Sequence, residues 1–210
     1  RFLLTMEALG YVGRDGRNYF LRPRVLDLGY AYLSSMTLWD VARSQMELVV
    51  QQVRESSSAS VLDGTDIIIT ARVQTQRIMT VLVEIGTRLP AHATSMGRIL
   101  LADLPPAALD GYFSKIAPEP YTPRTVTAEQ ELRNILKTVA SQGWCLLDEE
   151  LEEGVRSLAV PLHDSRGAVI AAMNVCAHAS RVSAERMREE FLPPLLQAAA
   201  TVDKHTTSKG

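Results

Sequence analysis

The stretch LPAHATSMGRILLA, Leu89 to Ala102, sets His92, Thr94 and Ser95 just ahead of Gly97 and an apolar run. Three chemistries fit those residue types. A serine nucleophile with a histidine base would attack a carbonyl, and a hydrolase elbow then wants G-x-S-x-G. The frame here is Ala93-Thr94-Ser95-Met96-Gly97, with Ala where the first Gly belongs. His92 is three residues from Ser95, which is proximity in sequence and not triad geometry, and His163, His178 and His205 show no ordered relation to it. Alternatively, Thr94 or Ser95 caps a helix from Met96 to Ala102, whose first N–H groups and positive dipole end suit a carboxylate. The plainest reading is a capped core helix with no ligand.

A second candidate is LDEELEEG, Leu147 to Gly154, with Asp148, Glu149, Glu150, Glu152 and Glu153. Paired carboxylates could exchange protons or hold a hard cation. Acids this close repel one another when buried, so a solvated charged loop is expected. Downstream, strand alternation sets Asn174, Cys176 and His178 on one face and Met173 and Val175 on the other. A polar side chain on an apolar strand is costly unless paired or facing a cavity, which makes Asn174 a pocket residue or a satisfied core amide. Cys145 and Cys176 are the only cysteines and lack metal-ligand spacing, so no disulfide, metal or cofactor is expected.

The front of the chain is basic. Residues 1–24 carry Arg1, Arg14, Arg17, Arg22 and Arg24 against Glu7 and Asp15, although the whole chain has a formal charge of −2. Its two ends therefore address different partners. Phe2, Leu3, Met6 and Leu9 recur at helical spacing up to Gly10, and Tyr11-Val12 and Asn18–Leu21 read as strands around GRDGR. A helix followed by a basic hairpin is the second half of a winged helix-turn-helix, where the helix enters the major groove and wing arginines reach phosphates or the minor groove. Arg1, Arg14, Arg17 and Asn18 are the candidate DNA contacts. The chain opens without Met inside an apolar pattern, so truncation at its front is expected.

These groups must be held by the elements around them. Val25 to Arg54 predicts two helices broken near Ser34–Thr37, with Thr37 or Asp40 as cap. SASVLDGTDIIITARVQ reads as a hairpin turning at Asp63-Gly64, followed by a β-rich run from Ile78 to Ile85 that ends at Gly86. The Ser95 helix stops at Leu104-Pro105-Pro106, and another spans Ala107–Ser114. Thr127 with Gln130 predicts a capping box for a helix over Ala128–Gln142, stopped by Gly143. Strands follow at Trp144–Leu147, Ser157–Leu162 and Ala168–Ala177, the last two joined by a turn at Asp164–Gly167. A final helix after the Ser183 cap turns Met187, Phe191, Leu195, Ala199 and Val202 inward, with a kink at Pro193-Pro194. That order predicts an α+β domain with a largely antiparallel sheet and helices on its faces. The 210 residues, 46% hydrophobic and 22% charged, suffice for one sizeable domain and a smaller piece. The runs IIITA and GAVIAAM fall far short of the roughly 20 residues a membrane helix needs, and no secretory leader opens the chain. A cytoplasmic protein without a membrane partner is the expectation.

Four stretches, GYVGRDGRNYFLRPRVLDLG, VLDGTDIIITARV, GTRLPAHATSMGRILLA and DEELEEGVRSLAVPLHDSRGAVIAAMNVCAHASRVS, resemble in order and spacing the isocitrate-lyase-regulator (IclR) family of bacterial transcription regulators. The resemblance covers nearly the whole chain, and the third and fourth stretches are its specific part. It implies a ligand-responsive DNA-binding regulator and not an enzyme. The implied parts are a truncated winged helix-turn-helix (residues 1–24), a linker helix (25–36), a GAF-like effector-binding domain with an antiparallel sheet flanked by helices (37–205) and a disordered tail (206–210). The implied partners are operator DNA, a small organic acid and further copies in a homodimer or homotetramer. Carried over by position, the family's effector cavity falls on Ile78, Val81, Leu89, Ser95, Met96, Leu147, Val155, Ser157, Asn174 and Cys176. Leu147 stands where an Asp can occur, and Asn174 where a Ser can, in members that bind small oxo-acids, which implies a different or larger ligand. RLPAHATSMGR is most similar to the subgroup controlling aromatic-acid catabolism through the β-ketoadipate route, whose regulators respond to protocatechuate, 4-hydroxybenzoate or β-ketoadipate. The competing readings are a GAF-like sensory or dimerisation module without a small-molecule switch, and a hydrolase using Ser95.

Overall fold

The computed structural model describes residues 1–34, 38–75 and 83–207. The chain forms two compact units, Arg1–Trp39 and Asp40–Gly210.

In the first unit, α1 (Phe2–Ala8) leads into a two-stranded antiparallel hairpin of β1 (Val12–Asp15) and β2 (Asn18–Leu21), followed by α2 (Val25–Ser34). Glycine is needed twice in the hairpin. Gly16 holds φ +58 at the tip. Gly13 lets the Phe20 ring cross the strand pair, since a Cβ there would lie 2.3 Å from a ring carbon. Leu26, Leu28 and Tyr30 of α2 are exposed.

The second unit opens within α3 (Leu38–Val53), which buries Met46, Val49 and Val53. Asp40 sits in the first turn of α3 and not at its cap, while Thr37 and the expected break fall among residues outside the description. Among the described residues, six strands then build an antiparallel sheet in the order β5-β4-β3-β8-β7-β6. They are β3 (Ser56–Asp63), β4 (Asp66–Val73), β5 (Arg88–Pro90), β6 (Cys145–Asp148), β7 (Val155–His163) and β8 (Val169–His178). Gly64, at φ +65, makes the tight β3–β4 turn that Asp63-Gly64 predicted. Of the expected Ile78–Ile85 strand, Ile78 to Leu82 lie outside the described residues, and Val83–Ile85 are not strand. The strand that pairs with β4 here is the later Arg88–Pro90, drawn to the β3–β4 turn by Arg88 bonds to Asp63 (2.6 Å) and Asp66 (3.1 Å).

A 3-10 turn (Ala91–Ala93), α4 (Ser95–Ala102), α5 (Pro106–Phe113) and α6 (Glu129–Gln142) follow β5. The capping box does not form. The N-cap of α6 is Ala128, one residue past Thr127, and Gln130 bonds to Asn134 instead. Gly143 ends that helix in the left-handed region, as expected. Strand alternation divides the core. Ala159 and Ala172 join Met96, Ile99 and Leu101 of α4 in one cluster, while Leu158, Val160, Met173 and Val175 point to the other face of the sheet.

After α7 (Ala184–Arg186), capped by Ser183, Met187–Phe191 form a π-helical turn before α8 (Leu192–Thr207), which packs on β7 and β8. Pro193 and Pro194 lack N–H groups, and the wide turn ahead of them stands where a kink was expected. The interior residues of this last helix are the predicted ones, with Met187, Phe191, Leu195, Ala199 and Val202 all buried. Past Ala159, β7 outruns β6, and α8 takes over its edge. Asp203 Oδ1 accepts the His163 N–H at 2.8 Å, Asp203 Oδ2 lies 2.7 Å from His163 Nδ1, and Thr206 Oγ1 donates to the His163 carbonyl at 2.9 Å. Of the expected disordered tail, Thr206 and Thr207 are instead helical, with Thr206 tied to the sheet, and residues 208–210 lie outside the described residues.

Candidate functional site

The entry to α4 is set by three neighbouring residues. Thr94 is extended (φ −122, ψ 145), and its hydroxyl accepts the Gly97 N–H at 3.1 Å, so Thr94 and not Ser95 is the cap. Gly97 lies against the preceding turn, where a Cβ would meet the Ala91 carbonyl oxygen at 2.1 Å and Thr94 Oγ1 at 2.5 Å. The 3-10 turn and the helix can pack this closely only through a glycine. Ser95 and Met96 thus open the helix with main-chain N–H groups that have no carbonyl one turn back.

Ser95 Oγ lies 2.6 Å from Ser157 Oγ on β7. Ser157 Oγ also accepts from Asn174 Nδ2 at 2.9 Å and from Cys176 Sγ at 3.3 Å. Asn174 Oδ1 accepts the Ser58 N–H at 3.1 Å, so this amide, only 4% exposed, is hydrogen-bonded at both ends. Burial raises the Cys176 pKa against the opposing pull of Ser157, Arg72 and Asn174, leaving a neutral thiol. His92 is also buried, and desolvation lowers its pKa, but its ring lies tilted beside that of Tyr121, with centroids 5.9 Å apart. The partner of the Ser95 hydroxyl is thus another hydroxyl and not an imidazole, which removes the nucleophile–base pair that a hydrolase requires.

Ser95, Ser157, Asn174 and Cys176 line a cavity of about 440 Å³ in the second unit, together with the polar residues Thr87, Thr94, Glu150 and Glu152. The structure gathers Leu89, Ser95, Met96, Leu147, Val155, Ser157, Asn174 and Cys176 around it, while Ile78 and Val81 lie outside the described residues. Ile67, Val83 and Leu151 extend the apolar wall that Leu89, Leu147 and Val155 begin. His178 shares the face of Asn174 but is not among the residues lining the cavity, and its Nδ1 lies 2.7 Å from Ser180 Oγ.

The acidic loop corrects the expectation of a solvated charge run. Glu150 takes two bonds from Arg98 of α4, at 2.8 and 2.5 Å, and a third from the Val126 N–H at 3.1 Å. Asp148 is held by Arg156 and Arg124, and the Glu149 carboxylate accepts the Gly154 N–H at 2.8 Å. Only Glu152 and Glu153 are exposed. Repulsion among the acids is relieved by arginines from three other segments. The overlooked signal was Arg98, a cation in the apolar run SMGRILLA that had to find a buried partner. Among the described residues, no group of three His, Cys, Asp or Glu side chains could hold a metal ion.

In the first unit, Arg14, Arg17 and Asn18 lie exposed around the hairpin tip, and Arg1 is exposed at the start of α1. Arg14 is oriented by its Nε bond to the Gly16 carbonyl at 2.8 Å and by the Tyr19 ring 5.8 Å away.

A family profile described as the bacterial transcriptional regulator IclR C-terminal domain matches residues 30–204. The chain belongs to the IclR family. It is 42% identical over 200 residues to the Pca regulon regulatory protein of Pseudomonas putida, covering 95% of this chain and 69% of that one. The crystal structure of a Rhodococcus sp. RHA1 protein classed with transcriptional regulators superposes with a TM-score of 0.87 at 46% identity, covering 100% of this chain and 84% of that one. The inducer-binding domain of the PobR transcription factor from Acinetobacter, a double mutant in complex with 3-hydroxybenzoic acid, superposes with a TM-score of 0.75 at 32% identity, covering 80% of this chain and 98% of that one. This IclR-family chain is accordingly a transcriptional regulator and not an enzyme, and its antiparallel sheet with flanking helices is the family's C-terminal fold. Among the described residues, no helix is long and apolar enough to cross a membrane.

Proposed function

We propose that this IclR-family regulator senses a small aromatic carboxylate in the cavity of its second unit and conveys occupancy to operator DNA read by its first unit. One observation carries the reading. A cavity of about 440 Å³ sets Ser95, Ser157 and Asn174 beside the start of α4 and an apolar wall of Ile67, Val83, Leu89, Leu147, Leu151 and Val155, with Thr87, Glu150 and Glu152 also on its lining. Hydroxyl, amide and main-chain donors at a helix N-terminus suit a carboxylate, and the apolar wall suits a ring. The acid bound to the inducer-binding domain of PobR has this chemistry. The effector-binding residues are Leu89, Ser95, Met96, Leu147, Val155, Ser157, Asn174 and Cys176, joined by Ile78 and Val81.

Arg1, Arg14, Arg17 and Asn18 contact DNA, α2 serves as the linker, and two or four copies in the cytoplasm bring paired wings to an operator. A ligand that binds one arrangement of the effector domain more tightly shifts the population toward it. A thermal-shift series with 3-hydroxybenzoate, 4-hydroxybenzoate, protocatechuate and β-ketoadipate tests the reading. An effector at one hundred times its Kd adds about 2.7 kcal/mol of stability. No shift with any of the four acids would remove an acid effector from the account.

A further inference from the structure

The hydrogen bonds on the cavity lining have a direction. Ser157 Oγ accepts from Asn174 Nδ2 at 2.9 Å and from Cys176 Sγ at 3.3 Å. Both of its lone pairs are then taken, so its own proton goes to Ser95 Oγ, 2.6 Å away. The Ser95 O–H is thereby left as the last donor of the series, next to the main-chain N–H groups that open α4. Ser95 and Asn174 are 1% and 4% exposed, so the donors stand where the lining is buried.

The acceptor side chains are committed elsewhere, with one exception. Thr94 Oγ1 takes the Gly97 N–H, Thr87 Oγ1 takes the Glu84 N–H, and both Glu150 oxygens are held by Arg98. Glu152 also lines the cavity, and among the described residues its carboxylate makes no ion pair and no hydrogen bond. It is exposed, so it stands at the mouth. Its carbonyl accepts the Val155 N–H at 3.1 Å, which closes the turn into β7. Val155 and Ser157 follow on the cavity face, about 7 Å apart on an extended strand. Along the lining the order is therefore a free carboxylate, an apolar stretch and the donors, an interval that suits one substituted benzene ring.

We propose that Glu152 is the acceptor for a ring hydroxyl of the effector, and so the residue that makes the site prefer a hydroxybenzoate to the unsubstituted acid. The proposal rests on the effector reading of the cavity. Like charges repel, so Glu152 turns the ligand's carboxylate away from the mouth and toward the Ser95 hydroxyl and the α4 N–H groups. The ring then lies against Leu89, Leu147 and Val155. A phenolic O–H at its far end donates to Glu152 in a charge-assisted bond, replacing the one that water makes to the exposed carboxylate. Glu152 thus selects the substituent by attraction and orients the acid group by repulsion.

Calorimetric titration with 3-hydroxybenzoate, 4-hydroxybenzoate, benzoate and 4-methylbenzoate, the last having the shape of the 4-hydroxy acid without its donor, reads both effects. The wild-type chain is expected to bind at least one hydroxy acid about tenfold more tightly than benzoate or 4-methylbenzoate. Glu152→Ala should reduce that preference to within about threefold, by weakening the hydroxy acid while benzoate binds as before or slightly tighter. A preference that survives in Glu152→Ala overturns the proposal and leaves the effector reading standing; its loss in Thr87→Val would then assign the hydroxyl to Thr87. An equal loss for all four acids marks a structural role and overturns it as well, as does a wild type that binds the four alike. Wild-type protein that binds none of them overturns the aromatic-effector reading and this proposal together. Where circular dichroism shows Glu152→Ala unfolded, Glu152→Gln decides: a fall of about threefold in the ratio of hydroxy-acid to benzoate affinity supports the charged acceptor, and an unchanged ratio overturns it.

Discussion

Glu150→Ala is expected to be among the most damaging single changes outside the apolar core. The side chains of Arg98 and Glu150 are 3% and 12% exposed, so truncating Glu150 strands a guanidinium that has little access to water. Two charge-assisted bonds disappear, together with the anchor that Glu150 gives to the Val126 N–H. Breaking a buried pair from one side costs about 3–5 kcal/mol, because a buried charge is left without its partner. At about 2–4 °C per kcal/mol for domains of 150–250 residues, that is a fall in Tm of roughly 6–20 °C. Urea titration followed by circular dichroism gives the free energy, and Arg98→Met, alone and combined with Glu150→Ala, completes a double-mutant cycle. Removal of both charges should cost clearly less than removal of Glu150 alone, since the desolvation of two ions disappears with their attraction. A Glu150→Ala loss below about 1 kcal/mol, or strict additivity in the cycle, would refute the claim that this pair organises the loop.

Three other outcomes are expected. Gly97→Ala places a methyl against the Ala91 carbonyl and should destabilise by about 1–3 kcal/mol in the same urea assay; a neutral result would mean that the turn and helix are not in tight contact. Desolvation depresses the His92 pKa below its ordinary 6.5, so the unfolded chain takes up the proton first as the pH drops. Stability is therefore complete above 6.5 and falls below it, by at most about 1.4 kcal/mol per pH unit, and His92→Phe should flatten that part of the profile. Replacing Arg14 and Arg17 together by Ala should reduce the slope of log affinity for operator DNA against log salt by about 2 in fluorescence anisotropy, and an unchanged slope would take the wing out of contact with phosphates.

Features governed by local chemistry were legible in the sequence. Gly64, Gly143 and the Ser183 cap act within a few residues, and each appears where turn and cap rules put it. The inward residues of α8 follow from helical spacing alone. What escaped depends on partners far along the chain. Arg88–Pro90 is too short to show a period, and it becomes a strand because Asp63 and Asp66 hold Arg88 beside β4. Glu150 looked like surface because its countercharge, Arg98, is 52 residues away. For the candidate site, the types of Ser95 and Asn174 hinted at a polar pocket and strand alternation set Cys176 beside Asn174, but Ser157 joins them only through the β7–β8 register. Composition carries no trace of that register.

The covering of β7 by the last helix has a consequence for the solubility of shortened chains. An uncovered strand edge invites a neighbouring molecule to add its own strand. Here one carboxylate and one hydroxyl, four residues from the end of the described chain at Asp203 and one at Thr206, occupy the main-chain groups of His163 that such a neighbour would use. A chain cut before Asp203 keeps most of its interior contacts yet loses this guard. It should fold and then associate edge to edge, so Asp203 and Thr206 act less as a fastening of the core than as protection against further copies of the chain.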